Sequence, residues 1–148
     1  MAKFKFDPKK YKKHTFNKIV DRPNNFAFPA VYIVYPPTSD DVIYVGSTYS
    51  LAERIGQHMD PSCSKKSIGK ILKNKRQHYL KAKYSCPEYY AEDINKQIAR
   101  LSPNVGMYRC SYLQDDAYNW RQRYLREYEL IGQFYPLLNV LKESDINF

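Results

Sequence analysis

The chain has 148 residues, a length that suits one domain built around one hydrophobic core. A mean hydropathy of −0.68 and the lack of any apolar run near the roughly 20 residues that cross a bilayer exclude a membrane-spanning protein. The basic N-terminus lacks the apolar stretch of a signal peptide, so we expect a cytoplasmic protein. Three widely spaced cysteines without a C-x-x-C pattern favour reduced thiols over a zinc site or a disulfide framework.

Positive charge is the most informative bulk property. The formal net charge is +9, and a cationic surface attracts polyanions. Residues 1–18 hold seven lysines against one acid, and residues 65–83 hold eight lysines or arginines and no acid. This composition, with fifteen tyrosines that can stack on bases, favours nucleic-acid binding, although a solubilising surface over a tyrosine-rich core has the same composition. The candidate DNA-binding side chains are Lys65, Lys66, Lys70, Lys73, Lys75, Arg76, Lys81 and Lys83.

The first part of the chain predicts a basic arm followed by a hairpin. Residues 1–25 are lysine-rich with little periodicity, and we expect them to form a flexible N-terminal arm. The β-branched and aromatic stretch Ala30–Tyr35 predicts one strand, and Val42–Ser47 predicts a second. Because turn-forming residues occupy positions 36–41, the two strands are expected to pair as a hairpin.

The remainder of the chain is mostly helical in its pattern. Ser50 and Glu53 have the spacing of a capping box, which predicts a helix that ends before Pro61. Four further elements are predicted: a basic helix at 65–84, a helix at 88–101, a strand at 105–113 and a long helix at 115–134. We therefore expect an α+β domain over residues 26–148, with a small antiparallel or mixed three-stranded sheet flanked by helices and a basic helical insertion at about 65–101.

Two tyrosines in the hairpin are candidates for chemistry. Tyr32 and Tyr44 lie in the middle of the two predicted strands, and side chains alternate along a strand. If the apolar neighbours of these tyrosines face the core, both phenols reach the other face together. Gly46 follows closely, and a glycine in a strand permits a bulge or the close approach of another group. Two ordinary sheet tyrosines remain the alternative interpretation.

A basic pair and a carboxylate follow on the predicted helices. Arg54 and His58 are four residues apart and share one helix face, where they are either site residues or solvated. Glu127 lies on the long helix beside an apolar stripe that includes Tyr124 and Ile131. A carboxylate beside such a stripe is costly to bury unless it is paired or binds a metal. A salt bridge to Arg121, Arg123 or Arg126 is the alternative.

These residues resemble the signatures of the GIY-YIG nuclease family. Ala30-Val31-Tyr32 is similar to the first signature, and Tyr44-Val45-Gly46 is similar to the second. The stretch that follows has the family's L-x-x-R-x-x-x-H spacing, and a pattern near the C-terminal end is similar to its metal-binding helix and terminus, E-x-x-x-I-x-x-x-x-P-x-x-N. The residues of these two patterns are Leu51, Arg54 and His58, and then Glu127, Ile131, Pro136 and Asn139.

The resemblance implies that the protein hydrolyses DNA phosphodiester bonds with one divalent metal ion, Mg²⁺ or Mn²⁺. Glu127 would hold the ion, and Arg54 would bind a non-bridging phosphate oxygen. Tyr32 is the candidate general base, with its ordinary pKa of about 10 lowered by the metal, Arg54 and the cationic surroundings. Tyr44 and His58 would orient water and phosphate, or His58 would share the proton transfer, and the sequence leaves this choice open.

The two remaining motif residues, Gly46 and Asn139, are expected to be structural. The resemblance also leaves two other classes of protein open. A non-catalytic nucleic-acid-binding protein with the same fold is expected to lack a catalytic side chain, and none is missing here. A basic structural or RNA-binding protein would match the motifs by chance. Among nucleases, the compact length favours a restriction-type or phage-type endonuclease of a bacterium or a phage-infected host cell, and double-strand cleavage would suggest a homodimer.

Overall fold

The structure is a computed structural model that describes residues 4–75, 96–114 and 118–139. These residues form an α+β fold around a four-stranded antiparallel sheet with the strand order β1-β4-β2-β3. The predicted fold class is confirmed, but the sheet has four strands where three were expected. The strands are β1 (His14–Thr15), β2 (Ala30–Tyr35), β3 (Tyr44–Thr48) and β4 (Arg109–Leu113). The helices are α1 (Phe16–Asp21), α2 (Leu51–Met59), α3 (Ile68–Lys73) and α4 (Trp120–Phe134).

The sheet separates two hydrophobic layers. All six residues of the inner strand β2 are buried, and its side chains alternate between the layers. Tyr32 packs in the larger layer with residues of α1, α2 and α3, whereas Ile33 packs in the smaller layer with Leu130 of α4. Tyr44 lies in the same layer as Tyr32, so the predicted common face of the two phenols is confirmed. The apolar neighbours of the tyrosines were expected on the opposite face from the phenols. Ile43, which precedes β3, instead packs in the same layer as the phenols.

Residues 4–25 lie against the sheet instead of projecting from it as an arm. Strand β1 pairs with β4 and supplies the fourth strand. Phe16 and Ile19 of α1 are fully buried in the larger layer, and Phe6 is buried in the smaller one. The backbone N–H of Phe6 donates to Gln133 Oε1 at 3.0 Å, and Gln133 Nε2 donates to the carbonyl of Phe6 at 2.9 Å. The apolar residues of this segment do not recur at helix or strand spacing, so the sequence pattern did not predict their burial.

The ends of several elements differ from the predictions. Helix α2 begins after Ser50 as expected, but the capping box is wrong, because the Ser50 side chain makes no cap bond and Glu53 accepts from Tyr49 Oη. The third predicted strand begins at Arg109, after a 3-10 turn over Val105–Met107. The long helix begins at Trp120, with Asn119 as its N-cap. The predicted basic helix starts later than expected, because residues 65–67 are not helical and α3 begins at Ile68 with Ser67 as its N-cap. Residues 96–99 of the next predicted helix are helical, and residues 76–95 lie outside the described residues.

The outer edge of β3 is closed by the segment that follows α4. The backbone N–H of Leu138 donates to the carbonyl of Ile43 at 2.9 Å. The side-chain amide of Asn139 then takes the place of a neighbouring strand at Val45. It accepts from the Val45 N–H and donates to the Val45 carbonyl, both at 2.8 Å. Asn139 is buried, so these bonds satisfy backbone groups that have no access to water.

We expect Asn139→Ala to lower the free energy of unfolding by about 1–3 kcal/mol, because it leaves the buried N–H and carbonyl of Val45 without partners. Urea denaturation followed by circular dichroism measures the loss. Asn24→Ala, at an exposed position, is the matched control and should leave the midpoint unchanged. Equal midpoints for the two variants would contradict the structural role of Asn139.

Candidate active site

The site begins where the hairpin brings Tyr32 across Gly46. The two residues are direct partners in the pairing of β2 with β3. A Cβ at position 46 would overlap both the terminal ring carbon and the hydroxyl oxygen of Tyr32. Glycine is therefore required for the phenol to lie over the edge strand. Tyr44 lies on the same face, with its ring centroid 5.9 Å from that of Tyr32.

His58 is fixed beside the two phenols by bonds at both ring nitrogens. Its Nδ1 accepts from the backbone N–H of Ile68 at 3.0 Å, at the start of α3. Because Nδ1 is an acceptor, the ring proton of a neutral imidazole lies on Nε2, which is 2.7 Å from Tyr32 Oη. His58 therefore donates to the phenol oxygen. The imidazole is fully buried, and its centroid is 5.0 Å from that of Tyr44.

Arg54 lies one helical turn before His58 and is half-buried. Its Nη1 donates to Gln57 Oε1 at 2.9 Å, and its Nη2 donates to the carbonyl of Lys66 at 2.7 Å. These two bonds hold the guanidinium between the phenols and the surface. A guanidinium has five N–H donors, so capacity remains for a ligand.

The environment of Tyr32 raises its pKa well above the ordinary value of about 10. Burial is the main cause, since it disfavours the charged phenolate, and Tyr44 adds to the rise. The charge of Arg54 and its hydrogen bond act in the opposite direction but are outweighed. The protein residues alone thus shift this pKa in the direction opposite to the predicted one.

Glu127 approaches the same end of β3 from the other side of the sheet. Helix α4 packs on β2 and β3, and Glu127 Oε2 accepts from Ser47 Oγ at 2.6 Å. Ser47 follows Gly46, over which the Tyr32 phenol lies. The Glu127 carboxylate and the Tyr32 phenol therefore lie at the same end of β3, on opposite faces of the sheet. Of the arginines considered as partners for Glu127, Arg126 lies 3.5 Å from Glu129.

A groove of about 300 Å³ opens at this end of the strand, between α2 and α4. Ser47 and Arg54 lie in its wall, and Tyr49 and Tyr124 flank it from opposite elements. Its cationic lining residues are Arg54, Lys65 and Arg123, against the acid Glu53. A groove with this charge favours an anionic ligand.

The predicted catalytic residues thus meet around the end of β3. Tyr32, Tyr44, Arg54 and His58 form one group of interacting side chains, and Glu127 binds Ser47 at the same end of β3 from the other face of the sheet. The predicted DNA-binding residues do not gather at the groove in the same way. Lys65 lines the groove, while the ammonium groups of Lys70 and Lys75 donate to backbone carbonyls at 3.4 and 2.9 Å. Arg76, Lys81 and Lys83 lie outside the described residues, and a role of the basic set in DNA binding stays a prediction.

A family model described as the GIY-YIG catalytic domain matches residues 28–139, which is most of the chain. The chain belongs to the GIY-YIG family. A GIY-YIG domain is a nuclease domain, which makes DNA the substrate class of this site. No curated protein matches the chain, and no solved structure matches it. Within residues 4–75, 96–114 and 118–139, no helix has the length and apolar character needed to cross a membrane.

The metal that the GIY-YIG family implies can be tested against the donors present. In the described part of the chain, no three histidine, cysteine, aspartate or glutamate side chains come together as a ligand group. The donor is instead the half-buried carboxylate of Glu127, oriented by the Ser47 hydroxyl. A carboxylate has about four lone-pair sites, so the bond from Ser47 leaves room for a cation. A single carboxylate fits Mg²⁺, which keeps most of its water ligands, better than an ion that requires several side chains.

Sequence reasoning missed two contributors to this GIY-YIG site. In the sequence, Ser47 is only the last residue of the second predicted strand, yet strand alternation places it on the face of Val45, toward α4. Because Ser47 and Val45 are two residues apart on one strand, the sequence alone could have predicted that they share a face. The N–H of Ile68, which determines the proton position on His58, carries no side-chain signal and depends on how α3 docks against α2.

Proposed function

We propose that the protein is a divalent-metal-dependent endodeoxyribonuclease of the compact restriction or phage type. The proposal is carried by one observation: a buried Tyr32–His58 pair, the Arg54 guanidinium and the Glu127–Ser47 pair meet around the end of β3, beside a cationic groove. A phosphodiester in that groove would have a cation, a proton acceptor and a metal-binding carboxylate around it. These are the groups that phosphodiester hydrolysis needs.

Glu127 is the residue we assign to metal binding. The Ser47 hydroxyl donates to one oxygen of the Glu127 carboxylate, which limits the orientations that this metal-binding side chain can adopt. When bound, Mg²⁺ or Mn²⁺ supplies positive charge that offsets the charge on the scissile phosphate and on the leaving oxygen.

Arg54 is assigned to the phosphate. Its bonds to Gln57 and to the carbonyl of Lys66 orient the guanidinium before substrate arrives. Preorganised donors stabilise the charge that develops in the transition state without a reorganisation cost during the reaction. Tyr44, which packs against His58, would keep the guanidinium and the imidazole apart and oriented.

Tyr32 is assigned as the general base, and His58 as the residue that positions it. In the proposed step, Tyr32 is ionised: a water molecule attacks phosphorus, its proton passes to the phenolate oxygen of Tyr32, and the bond to the leaving oxygen breaks, with its electron pair remaining on that oxygen. The Nε2–H of His58 stabilises the phenolate by donating to the same oxygen. Both ring nitrogens of His58 have partners, which favours a positioning role over direct contact with the phosphate.

We expect the cleavage rate to rise with pH across the range from 6 to 9. The phenolate is the active form and its pKa is raised, so its fraction increases about tenfold per pH unit below that pKa. Single-turnover rates at saturating Mg²⁺ measure the slope. A flat or falling profile above pH 7 would contradict the assignment of Tyr32.

Supercoiled plasmid DNA provides the direct test of the function. With Mg²⁺ or Mn²⁺ we expect relaxed or linear product, and with excess EDTA we expect none, because the carboxylate then holds no cation. A non-catalytic binding protein would retard the DNA without cutting it, and a protein that binds RNA instead would prefer a matched RNA. Either result would contradict the proposal. Each chain offers one such site, so conversion directly to linear product would indicate that two copies act together.

A further inference from the structure

Helix α4 presents three aromatic side chains to solvent, and two of them, Tyr124 and Tyr128, belong to the predicted apolar stripe. Trp120, Tyr124 and Tyr128 are 58%, 61% and 79% exposed. They are spaced by four residues and therefore share one face of the helix. We refer to these three residues as the aromatic stripe. Large apolar surfaces of this kind on a globular domain mark interaction sites.

The aromatic stripe is continuous with the candidate active site. Tyr124 lies in the groove wall together with Arg123, and Tyr49, which is 65% exposed, flanks the groove on the other side. Glu127 follows Tyr124 by three residues and is its neighbour on the helix surface. A molecule that occupies the groove therefore also reaches the rings.

The charge around the aromatic stripe favours a polyanion. The guanidinium of Arg121 lies 5.4 Å from the centre of the Trp120 ring, and Arg123 lies in the groove. No acid occurs in the first turn of α4. Two such faces would repel each other in a symmetric dimer, whereas rings interleaved with arginines suit a nucleic-acid strand, which offers both phosphates and π faces.

The spacing of the rings distinguishes between paired and unpaired nucleic acid. Four residues of α-helix rise about 6 Å, and the rings of Trp120 and Tyr124 lie 6.0 Å apart and nearly perpendicular, at 88°. Stacked bases in a duplex are about 3.4 Å apart and cover each other's faces. Bases can stack on these rings only if they are unpaired and spread apart.

We propose that the aromatic stripe stacks with unpaired bases of the substrate strand, so that the enzyme acts where DNA is single-stranded beside the scissile phosphate. This inference rests on the proposed function and names the substrate class of the same site. It assigns Trp120 and Tyr128 to substrate binding, outside the catalytic machinery.

The test uses the fluorescence of Trp120, which is the single tryptophan of the chain. Full-length Glu127→Gln protein, which we expect not to cut, is titrated with a 20-mer of thymidine, a blunt duplex of equal length and an abasic strand with the same phosphates. We expect the thymidine strand to quench the tryptophan and to bind more tightly than the abasic strand, which lacks π faces and should not quench it.

Matched variants add the energetic test. Stacking strengths per base predict that Tyr128→Ala weakens thymidine binding by about 5- to 100-fold and leaves duplex binding within twofold. Gln122→Ala, at an exposed position on the opposite side of α4 from the aromatic stripe, should change neither affinity. Tyr128→Phe keeps the ring and should retain thymidine binding.

Three outcomes would overturn the inference: equal affinity for the thymidine and abasic strands, an unquenched tryptophan at saturation, or a DNA-free dimer in sedimentation that Tyr128→Ala dissociates. A protein that quenches with thymidine strands but never cuts any DNA in Mg²⁺ would support the stacking and contradict the proposed nuclease. A protein that cuts the blunt duplex in Mg²⁺ but whose tryptophan is not quenched would contradict the stacking and support the proposed nuclease.

Discussion

Glu127→Gln is expected to reduce Mg²⁺-dependent cleavage by at least about 10³-fold while DNA binding stays within about threefold. The amide oxygen can still accept from Ser47, so the local hydrogen bond persists and the negative charge that holds a cation is lost. A 10³-fold loss corresponds to about 4 kcal/mol of barrier, within the several kcal/mol of charge stabilisation that a metal supplies. Single-turnover cleavage and fluorescence anisotropy measure the two quantities on one protein preparation.

Glu129→Gln is the matched control for that substitution. Glu129 lies on the same helix, two residues away, and pairs with Arg126 at the surface at 3.5 Å. A surface pair of this kind contributes little to stability, so the control should cut at the normal rate. Normal cleavage by Glu127→Gln, or an equal loss in both variants, would remove the metal-binding role from Glu127.

The sequence predicted the part of the site that local periodicity determines. Strand alternation correctly placed Tyr32 and Tyr44 on one face, and the i, i+4 spacing correctly put Arg54 and His58 on one side of α2. Those relations depend on backbone geometry within one element, so no tertiary information was needed.

Relations between distant segments could not be read in the same way. Strand β1 has two residues, too few for a pattern, and exists because His14 and Thr15 pair with β4 almost a hundred residues later. The stripe that includes Tyr124 and Tyr128 resembles a buried face, but α4 contacts the sheet through Leu130 and leaves those tyrosines exposed. The face of a helix that becomes buried depends on how the helix docks on the sheet. The arginines between the aromatic residues of α4 are compatible with either a buried or an exposed aromatic face.

The pKa of Tyr32 also depends on tertiary structure and could not be predicted from the sequence. Counting nearby cations predicts a lowered pKa, but the fold buries the phenol completely, and desolvation outweighs Arg54. A raised pKa does not by itself mark a catalytic tyrosine. Burial also raises the pKa of Tyr35 to about 12, on the opposite face of the same strand. What distinguishes Tyr32 is its partners, a histidine that donates to its oxygen and an arginine at the groove.

Tyr32→Phe should lower the single-turnover rate by about 10²- to 10⁴-fold, because it removes the proposed proton acceptor. It should also remove the rise of rate with pH. DNA binding should change little, since the phenol is fully buried.

Tyr35→Phe separates this chemical effect from loss of stability. Each tyrosine is fully buried on β2, and the oxygen of each is hydrogen-bonded to a buried side chain: His58 for Tyr32 at 2.7 Å and Ser111 for Tyr35 at 2.8 Å. Either substitution leaves a buried polar group without its partner, so both should lower the free energy of unfolding by about 1–3 kcal/mol. If the two variants lose stability alike and only Tyr32→Phe stops cutting, the phenol acts in the reaction. If both retain the wild-type rate and pH slope, the proton acceptor lies elsewhere and Tyr32 is a core residue.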